Sequence, residues 1–260
     1  MVKDVFHSIA AAARRLFVNW AALLISLSMY SALLGAIYLF FTIREATAMQ
    51  VALNLILPIA SVALFFLLQS MGLSYVRIGV GAAYLLKRSL RDCWRILLAS
   101  LPLILLACLI VYLFGKADQS FFSRAGAAGS KATWWAWGSV AIHAIQILLL
   151  HVLLPLIAIH LWIEAVSQGV AAAFLEFGRV VTRALAPRSL LIYVMICAVF
   201  GAIIYFLLFK TITFKSEWTE LWAVGIKTAL ALLLTFIGWL LTLGSMAELT
   251  ARREMKVLEM

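Results

Sequence analysis

Charged residues are absent from six stretches of the chain, each at least 20 positions long: 16–43, 46–76, 96–115, 132–163, 189–209 and 228–247. Helical residues rise 1.5 Å each, so about 20 of them cross roughly 30 Å of hydrocarbon. The pattern predicts six transmembrane helices, and the longer runs must tilt, kink or protrude into the headgroups. The first run is much longer than a signal-peptide core and begins only after Arg14 and Arg15, so it reads as a span and not as a cleaved leader.

Between the runs lie segments of a different texture. FHSIAAAARRLFVNWAALLIS from Phe6, VGAAYLLKRSLRDCWRILLAS from Val80 and VAAAFLEFGRVVTRALAPRSLL from Val170 each have an Ala-rich start and a basic middle, then lead into a span. SMGLSYVR at Ser70 also resembles SMAELTARR at Ser245. These echoes predict three pseudo-repeats, about 5–76, 77–166 and 167–253, within one six-helix domain covering 1–260. Each would hold a cytoplasmic amphipathic helix. At 100° per residue, Arg88, Arg91 and Arg95 fall within about 60° of one another, opposite Ala83, Leu86, Leu90, Cys93 and Trp94. In the third segment Glu176, Arg179 and Arg183 oppose Phe174, Phe177, Val181 and Leu185, and Pro187 stops the helix or kinks it. Helices of this kind lie in the membrane interface with the apolar face down.

Composition agrees with the pattern. Of 260 residues, 66% are hydrophobic and 12% charged, and the mean hydropathy is +1.09. That excess of apolar side chains cannot be hidden in one water-soluble core of this size. The net charge is +10. The basic residues cluster beside the apolar runs, which points to anionic lipid headgroups as partners and not to nucleic acid. If the N-terminus is inside, inner segments hold Lys3, Arg14, Arg15, Arg77, Lys87, Arg88, Arg91, Arg95, Arg179, Arg183, Arg188, Arg252, Arg253 and Lys256. Outer segments then hold Arg44, Lys116, Arg124, Lys131, Lys210, Lys215 and Lys227. The two-to-one bias predicts that both termini are cytoplasmic. Trp134, Trp135, Trp137, Trp218 and Trp222 would mark the outer interface, and Trp20, Trp94 and Trp162 the inner one.

Candidate chemistry concentrates in the fourth span. His143, Gln146, His151, His160 and Glu164 form a possible polar stripe or pathway, in which Gln146, His160 and Glu164 cluster within about 40° on an α-helical projection. His143 and Glu164 are about 30 Å apart in rise, so the stripe is no single metal site. Pro155 would interrupt this helix and free the carbonyl of His151, and Pro58 would do the same to Asn54. Glu164 and Glu248, at the inner ends of spans 4 and 6, need cationic partners at that depth, with Arg179, Arg183 and the arginines of the second surface helix as candidates. Arg88, Arg91, Arg95, Arg179 and Arg183 are the candidate anionic-lipid contacts. Cys93, Cys108 and Cys197 have no metal-ligand or redox spacing. No HExxH, GxSxG or phosphate-loop motif occurs, so no catalytic residue, metal or cofactor is expected.

This layout, carried by texts such as AAAARRLFVNW and extending from about Phe6 to Arg253, resembles a loose bacterial group of six-span membrane domains. The group includes the membrane domain attached to some glycerophosphodiester phosphodiesterases and related inner-membrane proteins. The phosphodiesterase domain has no counterpart here. The resemblance therefore implies a non-enzymatic, multi-pass inner-membrane protein concerned with lipid or envelope homeostasis or with scaffolding. The alternative is a transporter or channel for a small solute using span 4. Topology is directly testable: a cysteine placed at position 128 should react with an impermeant thiol reagent from outside, and one at position 91 only after permeabilisation. Labelling of both from the same side would contradict the charge bias.

Overall fold

A backbone removed from water must satisfy its own N–H and C=O groups, and a single apolar run does so as a helix. The computed structural model describes residues 2–44, 47–78, 82–127, 132–210 and 216–258, and the chain is all-α, with no strand among the described residues. The helices are α1 (Val2–Val18), α2 (Trp20–Thr42), α3 (Ala48–Ile78), α4 (Ala82–Ala127), α5 (Ala132–Ile147), a π-helical segment (Leu148–Leu153), α6 (Leu154–Gln168), α7 (Val170–Leu175), α8 (Phe177–Ala184), α9 (Pro187–Phe209) and α10 (Glu217–Leu258). Six stretches are long and apolar enough to cross a membrane: Trp20–Thr42, Ala48–Tyr75, Tyr84–Ser120, Trp137–Gln168, Pro187–Phe209 and Glu217–Ala251. The six sequence runs are six helices of a multi-pass membrane protein. Ala128, Lys131 and Lys215, and the side chains of Arg77, Arg124, Trp134, Trp135, Arg252, Arg253 and Lys256, lie outside the described residues.

Helix boundaries refine the sequence reading. The first span begins at Trp20 and not at 16, because Asn19 leaves helical geometry and its side chain accepts a hydrogen bond from the Ala22 N–H at 3.3 Å. The second surface segment is not a separate helix. Residues 84–95 form the first turns of the 46-residue α4, with neither Gly nor Pro before Pro102 to end the run. A straight helix of that length reaches about 69 Å, more than twice the hydrocarbon thickness. The third surface segment is two short helices, α7 and α8, divided at Glu176. Gly169, with φ +99°, makes the sharp turn into α7 that a side-chain-bearing residue adopts only with strain. Pro187 opens α9, where its missing N–H costs nothing.

The chain divides into two compact units, Met1–Ile96 with Pro187–Met260, and Leu97–Ala186. In the first, α1 packs on α10, α10 on α9 and α3, and α2 on α3. Val5, Ser8, Ala12 and Leu16 of α1 recur at helical spacing and are buried, whereas Phe6 and Phe17 are exposed. Tyr75 at the end of α3 donates its hydroxyl to the Leu16 carbonyl, and the Asn19 carbonyl lies 3.1 Å away, so the α1–α2 break is fastened to α3. Ser70 Oγ donates to the Ser89 carbonyl at 2.9 Å and fastens α3 to the start of α4. Trp239 Nε1 donates to Gln69 Oε1 at 2.6 Å. In the second unit α6 packs on α7 and α8, with Leu156, Ile159, Leu161 and Ile163 fully buried alongside Ala173, Val180 and Ala184.

Burial is uneven along the long helices. In α3 the buried side chains begin at Phe66, and in α10 nearly all lie from Phe236 onward. In α9 they lie between Ser189 and Ile196, whereas Met49, Leu55, Ile59, Tyr205, Phe206, Trp218 and Trp222 at the opposite ends are exposed. Among the described glycines the tightest surroundings are at Gly72, where an added Cβ would meet Leu243 Cδ1 at 2.9 Å and Leu240 Cδ2 at 3.1 Å. Gly72→Val is expected to destabilise by about 1–3 kcal/mol through overpacking. Gly35→Val, whose Cβ would meet nothing within 4 Å, serves as the control. Thermal unfolding in detergent checks this, and equal midpoints for the two variants would contradict close α3–α10 packing.

Candidate functional site

A carboxylate at the end of an apolar helix is costly to bury unless a cation meets it. Glu164, near the end of α6, is 2% exposed, and its Oε2 accepts a hydrogen bond from Arg183 Nη1 of α8 at 3.0 Å. Glu248, in the last third of α10, meets Arg15 Nη2 of α1 at 2.9 Å. In both cases an arginine from a helix outside the six apolar spans closes on a glutamate within one. Arg183 is among the partners expected for Glu164. Glu248 takes Arg15 because α1 packs along α10, an arrangement that sequence order does not reveal. Arg179, the other candidate, bonds Glu176 at 2.8 Å on an exposed surface, and Arg188 lies 3.4 Å from Asp4.

The polar stripe of span 4 divides. His160 and Glu164, one turn apart on α6, are both buried; Gln146 is half-buried; His143 and His151 are exposed. Burial follows position along the span: no described residue from Trp137 to Pro155 is buried on any face, and buried side chains begin at Leu156. A π-helical segment lies at this junction. At its end the Leu154 N–H reaches back five residues to the Leu149 carbonyl, immediately before Pro155, which has no N–H to offer. The interruption expected at Pro155 is absorbed as a wider turn. A helical projection reports angle only and misses this change of burial along the axis.

His143 instead joins a second group. Ser139 Oγ donates to Asp118 Oδ1 at 2.7 Å, and His143 Nδ1 lies 2.9 Å from the Ser139 carbonyl and 3.8 Å from Asp118. These are the residue types of a nucleophilic triad in another arrangement. The hydroxyl is bonded to the acid, and the imidazole faces a carbonyl, so His143 is not placed to take the Ser139 proton. Asp118, two residues beyond Lys116, carries no periodic signal that would single it out.

The basic face of α4 holds the group most thoroughly missed in the sequence. Asp92 is 1% exposed, with Arg88 Nε and Arg91 Nε each 3.5 Å from its carboxylate and Arg95 Nη1 at 3.7 Å. An acid inside a basic stripe, at i+4 from Arg88 and three before Arg95, was the available signal. Beside it Tyr84, Lys87, Arg88 and Arg91 line an open cavity of about 470 Å³. Trp162, expected at the membrane interface, is buried and donates to Ser100 Oγ at 2.7 Å, whereas Trp20, Trp94, Trp137, Trp218 and Trp222 are exposed. Among the described residues no three His, Cys, Asp or Glu side chains group so as to hold a metal ion, and all three cysteines are free thiols.

The ion pairs differ in burial, which sets an expected order. Arg183→Gln should cost about 3 kcal/mol, at the low end for removing one partner of a buried pair. Arg15→Gln should cost less, since that side chain is 45% exposed, and Arg179→Gln under about 1 kcal/mol. Unfolding midpoints in detergent rank the three variants, and a flat ranking would show that these pairs do not hold the helix ends together. No family model matches the chain, and neither a curated protein nor a solved structure matches it.

Proposed function

We propose that this multi-pass membrane protein is a non-enzymatic scaffold of the bacterial inner membrane, with both termini cytoplasmic, whose basic end gathers anionic lipid in lipid or envelope homeostasis. The observation that carries this reading is the pairing of Glu164 with Arg183 and of Glu248 with Arg15. Ionisable groups within membrane helices commonly mark transport paths. Here the buried glutamates of the spans bind surface-helix arginines, the use expected of groups that fix an architecture.

A transporter or channel is the second reading, and one observation favours it: His151 is exposed within the π segment, a backbone irregularity frequent at functional sites. Reconstitution separates the two. The scaffold reading expects proton and small-solute flux in proteoliposomes no greater than in empty liposomes. Flux abolished by His151→Ala and His160→Ala, with helicity unchanged, would overturn it in favour of passage along span 4.

A further inference from the structure

We infer that the first turns of α4 form a discrete binding site for a phosphate-ester anion, held by Lys87, Arg88 and Arg91. The site rests on the reading that the basic end faces lipid headgroups. Four cations, Lys87, Arg88, Arg91 and Arg95, share one face of three helical turns, and Asp92 neutralises only one of them. A cavity of about 470 Å³ opens among the first three and Tyr84. It lies within the roughly 300–1,000 Å³ typical of small-molecule sites.

Hydrogen bonding points the same way. Arg88 Nε is buried without a hydrogen-bond partner, and both Asp92 oxygens are buried in the same state. The arginines stand 3.5 Å or more from Asp92, beyond good hydrogen-bond distance. Asp92 thus holds the guanidiniums in place by charge without saturating their donors. A phosphate oxygen entering the cavity meets the Arg88 and Arg91 side chains, which are 34% and 68% exposed, and guanidinium forks match it bidentately. The flanking side chains favour a lipid as the source of the phosphate. Leu90 and Trp94 are 60% and 63% exposed on the same helix, one and two turns from Lys87, and the uncharged run that crosses the membrane begins at Ile96. Apolar side chains so placed sit among acyl chains while the cations meet the headgroup.

The test is lipid retention by the full chain in detergent, read by native mass spectrometry with phosphatidic acid, phosphatidylglycerol and phosphatidylcholine. The site predicts preferential retention of the two anionic lipids, about tenfold weaker in Arg88→Gln/Arg91→Gln, where one decade is ~1.4 kcal/mol. Lys87→Gln, at an exposed position outside the Asp92 cluster, should weaken it in the same direction and carries the test if the double variant loses helicity. Arg14→Gln, an exposed cation on α1 outside the site, should leave retention unchanged. Displacement of bound lipid by glycerol phosphate alone would identify the ligand as a soluble ester at the same site, and failure to displace would identify it as lipid. Equal losses in the α4 and Arg14 variants would overturn the discrete site while leaving a diffuse basic face. No preference for anionic lipid, with no binding of glycerol phosphate, would overturn the site and the lipid-facing reading together.

Discussion

Meeting of span carboxylates with arginines of helices outside the spans is the constraint on which the remaining architecture depends. Glu164 on α6 and Glu248 on α10 are buried within apolar spans, and neither is tolerable there as an isolated charge. Arg183 and Arg15 satisfy them only if α8 lies against α6 and α1 against α10. The pairs therefore specify which of these helices docks where, a role in register that a purely apolar contact would not fill. Tyr75 on the α1–α2 break and Ser70 on α4 act in the same sense within the first unit.

Lipid explains why burial concentrates at one end of the long helices. Between apolar helices in hydrocarbon there is no hydrophobic driving force, so contact must come from close packing or hydrogen bonds. Close packing occurs where Gly72 meets Leu240 and Leu243 and where Gly238 meets Phe200. Hydrogen bonds occur at Trp239–Gln69 and Trp162–Ser100. Elsewhere the exposed Leu, Ile and Phe of the spans are as well solvated by acyl chains as by one another.

The division of span 4 bears on mechanism. Beyond the π segment His160 and Glu164 lie in a buried, ion-paired neighbourhood, and ahead of it His143 lies near Asp118 and Ser139. Residues sharing a stripe on paper thus serve separate local structures, one at each end of the span. The basic turns of α4 are different, since their cations border an open cavity and converge on Asp92.

The number of spans, the all-α class, the identity of Glu164 and Glu248 as groups needing cations, and Arg183 as a partner were legible in the sequence, because each follows from local hydropathy, charge or spacing of a few residues. Tertiary structure alone decided that Arg15 reaches Glu248, more than 230 positions away, that Trp162 turns inward to Ser100, and that residues 84–95 continue into the third span. The physical reason is the same in each case. Periodicity reports which face of a helix is apolar, but a partner distant in sequence, a change of helical register at Leu148–Leu153 or an acid shielded within a basic face such as Asp92 depends on which helices meet, and that is set by packing in three dimensions.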